Sequence, residues 1–104
     1  MDRFKLIDWE DVRLGDPAED IAYSLSENVI GDELRAAFWR GYGDHTSLDL
    51  AALQHRVELW RPLVILASGL WWLERYCKPV AEDQLPRDFF RSGVEERLRW
   101  HAAT

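Results

Sequence analysis

A mainly α-helical domain with one short strand at its start is the fold class that this sequence predicts. Three observations carry it. The β-prone run at residues 4–7 stops at Asp8, and no second strand pattern follows it. Beyond it come stretches with apolar residues three and four apart, several opened by a helix-capping residue or a proline, which make four or five helices. Hydrophobic residues make up 47% of the 104, six of them Trp, which is enough for one small folded core and too many for a disordered chain.

The strand at residues 4–7 raises a demand that the rest of the sequence does not meet. A lone strand leaves its backbone groups unpaired, so it needs a partner strand. Residues 10–16 read as a loop. Asp16-Pro17 then opens the first helix, to about residue 28. Asp16 suits the N-cap, Pro17 the first helical position, and Glu19 stands where a capping-box acid would be. Ile21, Ala22 and Leu25 form its apolar face.

Gly31 breaks the chain and Asp32 can cap a second helix, about residues 33–42. Leu34, Ala37 and Phe38, with Trp39 beside them, form its inner side, and Gly41 and Gly43 end it. Thr46 or Ser47 caps a long helical region over about residues 48–77, which Pro62 should kink or divide. After Pro62 this region is apolar on nearly every side and is expected at the centre of the core. Trp71 and Trp72 cannot both face one side, so one should be core and the other should pack on a neighbour. Lys78-Pro79 ends the region, and Pro86 starts a last helix to about residue 100. Phe89, Phe90, Val94 and Leu98, with Trp100 at the edge, supply its inner face, and Gly93 weakens it modestly.

Charge and composition exclude several functions. A net charge of -6 with only two lysines, Lys5 and Lys78, argues against nucleic-acid binding. The longest apolar stretch, residues 63–73, is too short for a membrane span. A charged start with no apolar run gives no sign of a signal peptide, and a single cysteine, Cys77, suits a reduced, cytoplasmic setting. His45, His55, His101 and Cys77 have no metal-ligand spacing. Trp9 or Trp39 could join an aromatic cage for a quaternary ammonium, although ordinary burial explains each more simply.

The charge is concentrated early. Six of the 13 residues from 8 to 20 are acidic: Asp8, Glu10, Asp11, Asp16, Glu19 and Asp20. A carboxylate at the end of a strand is held rigidly with its oxygens facing a cleft, which suits Mg²⁺ and, through it, substrate phosphates. By spacing alone, a solvated acidic loop before a capped helix accounts for the same residues.

"LIDWEDVRLGDPAEDIAYSL", residues 6–25, resembles the second signature of the aminoglycoside phosphotransferase and choline kinase-like family. These are small-molecule kinases related in fold to protein kinases. The matching elements are Ile7-Asp8-Trp9-Glu10, then Gly15-Asp16-Pro17, then Asp20-Ile21-Ala22. "FWRGYG" at residues 38–43 and "HRVELWRPLVILASGLWWLE" at residues 55–74 are similar to the family's later helices, less specifically. The resemblance implies that the chain is the C-terminal helical subdomain of a kinase-like fold. Residues 1–16 would form the strand and metal-site loop, and residues 17–104 the helical bundle. It implies that Asp8 binds Mg²⁺ on the phosphates of ATP or another nucleoside triphosphate. Asp16 would cap the helix or fix the loop, and Asp20 would brace the catalytic loop. Glu10 and Asp11 would either draw a cationic acceptor by focusing negative potential or remain solvated loop charges.

The sequence departs from the family at one decisive point. The family's His-Gly-Asp signature, with its catalytic base, has no counterpart: His45 precedes Thr46, His55 precedes Arg56, and His101 precedes Ala102. The glycine-rich nucleotide-binding lobe has no counterpart either, since Gly41-Tyr42-Gly43 ends a helix rather than following a strand. No catalytic residue is therefore assigned to the chain. The expectation is an N-terminal portion upstream that completes the fold and supplies the base. By itself the chain should bind no cofactor tightly and transfer no phosphate. The rival expectation is a non-enzymatic helical module, a kinase remnant that binds a protein partner or forms a homodimer through its unpaired strand.

Overall fold

The computed structural model describes residues 3, 5, 13–28, 30–78 and 85–104. Four helices follow in order: α1 (Pro17–Glu27), α2 (Asp32–His45), α3 (Leu50–Cys77) and α4 (Arg87–Ala102). The described residues contain no strand, and the strand expected at residues 4–7 falls, Lys5 apart, outside them. No helix among the described residues is long and apolar enough to cross a membrane.

α1 forms as its sequence dictates. The Asp16 carboxylate accepts from the Ala18 N–H at 3.0 Å, and Pro17 takes the first turn, where its missing N–H costs nothing. Ala18, Ile21, Ala22 and Leu25 are buried as one stripe at helical spacing. At the other end, Asn28 donates to the Ser24 carbonyl from its backbone and its side chain.

α2 differs from expectation. It begins at Asp32, with Gly31 at the cap position, and it runs through Gly41 and Gly43 to His45. Glycine inside a helix costs about 1 kcal/mol, which packing can offset. Phe38, Trp39 and Tyr42 form an aromatic group with ring centroids 5.1–6.2 Å apart, and this group packs half-buried on the core. Gly43 also leaves room for Leu50, whose Cδ2 lies 3.1 Å from where a Cβ would stand. Because the aromatics face inward, Leu34 and Ala37 are exposed rather than buried.

α3 is capped by Asp49, not by Thr46 or Ser47: its carboxylate accepts from the Ala52 N–H at 3.2 Å. Thr46 instead accepts from the Leu48 N–H, in a turn that leads into the helix. Pro62 does not divide α3, which continues for 28 residues. Leu53, Val57, Val64 and Ile65 are buried. Burial on every side after Pro62 is not found. Leu59, Leu63, Leu66, Leu70 and Leu73 lie on the opposite face and are 40–60% exposed. α1 and α4 take two sides of α3, and nothing among the described residues takes the third.

α4 buries Phe90, Gly93 and Arg97. The inner face expected from hydrophobicity is thus rotated, and Leu98 and Phe89 are exposed. The cause is Trp72. Its ring lies against Phe89 and Phe90, at 5.3 and 5.7 Å between centroids, and occupies the space a side chain at Gly93 would need. Trp71 stays outside, with the Arg75 guanidinium 3.9 Å from its ring centroid.

The inward turn of α4 also brings a charge into the core. Arg97 Nε donates to Ser68 Oγ of α3 at 3.0 Å, and Nη2 donates to Glu27 Oε2 of α1 at 2.5 Å. Nη1 donates to the Gly93 carbonyl at 3.3 Å, while the guanidinium stacks on Trp72 and Trp100. The Ser68 hydroxyl donates to the same Glu27 carboxylate. A buried ion pair holds only when its geometry is good and its remaining donors are satisfied, and both conditions are met.

Two substitutions test this packing. Gly93→Ala should lower the thermal midpoint, although alanine favours helices by about 1 kcal/mol, because overpacking against the Trp72 ring costs roughly 1–3 kcal/mol. Arg97→Met should destabilise by about 3 kcal/mol in urea unfolding, because Glu27 is left without its cation. An unchanged unfolding midpoint in either variant would contradict the packing described.

Candidate functional site

The candidate site is the head of α1 and the face of α3 beneath it. Asp16 is its fixed point. Besides capping α1, its carboxylate accepts from Arg56 Nε at 3.2 Å and from the Trp60 indole N–H at 3.2 Å. Arg56 and Trp60 are four residues apart, so they share one side of α3 and converge on one carboxylate. One aspartate therefore fixes both the start of α1 and its position on α3.

The electrostatics follow from these donors. The Ala18 N–H holds the Asp16 carboxyl below the ordinary aspartate range, helped by Trp60 and Arg56 and partly opposed by burial. A carboxyl lowered in this way stabilises the fold above its unfolded-state pKa. That stabilisation is lost as pH falls through the folded-state value.

Glu19 does not close a capping box with its side chain. It pairs with Arg13, while its backbone N–H donates to the Asp16 carbonyl at 3.1 Å. Asp20 is exposed, and no described residue donates to it. Arg13, Glu19, Asp20, Tyr23, Val64 and Ala67 line an open cavity of about 560 Å³. A second cavity, of about 400 Å³, shares Tyr23 and Ala67 with it and reaches Glu27, Ser68 and Arg97. The Tyr23 phenol at their junction is raised above its ordinary pKa by burial and by the Glu27 carboxylate, so it stays protonated at neutral pH.

Asp8, Glu10, Asp11 and Trp9 lie outside the described residues. Of the site residues read from the sequence, the structure thus describes Asp16 and Asp20, on one end of one helix. Among the described residues no three His, Cys, Asp or Glu side chains come together as a metal site. His55 and Cys77 are exposed, and Trp39 packs in the α2 aromatic group. Sequence reading missed Arg56 and Trp60. Their four-residue spacing was a legible signal of a shared face, but nothing in it named Asp16, 40 residues away, as the acceptor.

A family model described as the phosphotransferase enzyme family matches residues 3–60, more than half of the chain. The match includes Asp8, Asp16, Asp20, Arg56 and Trp60. No curated protein and no solved structure matches the chain.

The Asp16 junction predicts an order of stability. Asp16→Asn keeps an acceptor for Ala18 but loses the charge facing Arg56, and Asp16→Ala loses both. Thermal midpoints at neutral pH should fall from wild type to Asn to Ala, by several degrees in all. The gap between wild type and Asp16→Asn should close on acidification from about pH 7 toward pH 3, as Asp16 protonates. A gap that stays constant over that range would show that the Asp16 charge plays no part.

Proposed function

The chain belongs to the phosphotransferase enzyme family, and we propose that it forms the C-terminal helical part of an ATP-dependent small-molecule kinase. The intact enzyme would move the γ-phosphate of ATP, or of another nucleoside triphosphate, to a hydroxyl. The single observation that carries this reading is the family match over residues 3–60, because it includes the acidic segment with its three spaced aspartates. Support of a second kind comes from Asp16. A metal-binding loop works only if it is held rigidly, and the Arg56–Asp16–Trp60 junction anchors the helix that follows residues 8–15.

In this reading Asp8 is the Mg²⁺ ligand. Asp8 would hold the metal, which would supply positive charge against the charge that develops on transfer. Asp16 fixes the loop and Asp20 braces the catalytic loop from its exposed position on the first turn of α1. The described residues bring no carboxylate cluster together, so Mg²⁺ is assigned to Asp8 from the sequence alone. The acceptor class that suits the acidic surroundings is cationic, an aminoglycoside or an amino alcohol, with Glu10 and Asp11 supplying negative potential at the cleft. The base that accepts the hydroxyl proton would come from another part of the protein, since no His-Gly-Asp run occurs in these 104 residues. A single cysteine is in keeping with a cytoplasmic enzyme.

A second reading has its own observation. The leucine face of α3 is exposed along about four turns, which is what a non-enzymatic interaction module descended from such a kinase would show.

Two measurements test the kinase reading. The purified 104-residue chain should release no ADP from MgATP above background with aminoglycosides, choline, homoserine or sugars; turnover with any of them would show that the base is in this chain. Titration with Mg²⁺, followed by NMR, should show weak binding, about millimolar, that Asp8→Asn abolishes. Binding that survives Asp8→Asn would remove Asp8 from the metal site.

A further inference from the structure

The largest unexplained feature of the molecule is the outer face of α3. Leu59, Leu63, Leu66, Leu70 and Leu73 follow one another at alternating steps of four and three residues. That is a 3.5-residue repeat, the period at which two helices can wind together and keep one apolar seam in contact. A helix that only packs into its own domain needs no such regularity on its solvent side. All five leucines are 40–60% exposed, and they lie on the side of α3 opposite Leu53, Val57 and Val64.

We propose that α3 pairs through this seam with α3 of a second copy of the chain, in antiparallel orientation. Self-pairing is favoured by charge. The chain carries a net charge of -6, which opposes bringing two copies together except at an uncharged face. Residues 62–73 contain no Asp, Glu, Lys or Arg, the longest such run in the sequence, and they hold most of the seam. An isologous interface sets each patch against its own copy, and an uncharged seam can meet itself without repulsion.

The antiparallel direction is favoured by the ends. Arg56 stands just before the seam and Glu74 just after it. Antiparallel pairing that sets residue 65 level with its own counterpart brings Arg56 of one copy alongside Glu74 of the other. Parallel pairing sets Arg56 against Arg56 and Glu74 against Glu74. The size is adequate for a reversible dimer. The exposed leucine surface is roughly 450 Å² per chain, or ~900 Å² per pair, which belongs with weak, reversible interfaces below about 1,200 Å². This inference does not depend on phosphate transfer, and it concerns a different surface from the strand expected at residues 4–7.

The test is sedimentation of the full chain at roughly 100 µM, a concentration suited to an interface of this class. The expected mass is near twice 12.2 kDa, and Leu63→Glu combined with Leu70→Glu should return it to 12.2 kDa. Both sites are exposed, so the helical circular dichroism should be retained. Glu74→Arg, which would face Arg56 of the other copy, should weaken the dimer several-fold, and it decides the matter should the double variant lose its helicity. Mild oxidation reports the direction. Cys77 ends the seam and is exposed, so parallel pairing would join the two copies by a disulfide, whereas antiparallel pairing holds the thiols at opposite ends. A monomer at this concentration overturns the proposal. A dimer indifferent to Leu63→Glu and Leu70→Glu overturns it as well, and efficient Cys77 disulfide formation overturns the antiparallel direction.

Discussion

The Arg97 guanidinium binds all three of the tightly packed helices together. It leaves α4, touches Ser68 on α3 and ends on Glu27 at the close of α1. Hydrophobic contact between these helices is modest in specificity, since an apolar stripe can slide or rotate by a residue at small cost. A buried guanidinium cannot slide, because a shift of an ångström leaves a charge without its partner. The rotation of α4 follows from this demand. Arg97 must face inward, so Phe90 and Gly93 face inward with it, and Leu98 is turned out. Trp72 and Trp100 lie against the guanidinium, 4.4 and 4.8 Å from it at their ring centroids, and add cation–π attraction.

Asp16 performs a related task at the other end of α1. Its donors come from backbone, guanidinium and indole, three kinds of group with different geometry, so the carboxylate has one position that satisfies them all. α1 is thus tied to α3 at both ends by polar contacts and along its middle by Ile21, Ala22 and Leu25. In the function proposed above, this seat would also hold the loop that precedes α1. The same residues also serve plain stability, so a catalytic fold that lost its chemistry would still retain them.

The legible parts of the sequence were those with local causes. Asp16, Pro17 and the Ile21–Ala22–Leu25 stripe could be read directly, because capping and helical spacing act within a few residues. The family resemblance, carried by residues 6–25, was legible for the same reason and is matched by the family model over residues 3–60. The parts that failed depend on distant partners. Gly41 and Gly43 look like helix stops until Phe38, Trp39 and Tyr42 are packed on the core. Arg97 looks like a surface charge until Glu27 is found 70 residues away. Leucines after Pro62 look like core until their side of α3 proves to have no helix laid over it among the described residues. Hydrophobicity states that a side chain gains from burial; it does not state which surface will bury it.

Pro62 marks the place where α3 should be weakest, since it removes a rung of the hydrogen-bond ladder in a helix about 42 Å long. α1 spans that gap. It is joined to α3 at Arg56 and Trp60 before the proline, and at Ser68 after it. In mechanical terms α1 is a splint laid across a joint. If the Glu27–Ser68 end lets go, the joint becomes a hinge, and the second half of α3 can swing with α4 as one unit. Amides of residues 63–77 should then exchange with solvent together, sooner than those of residues 50–61.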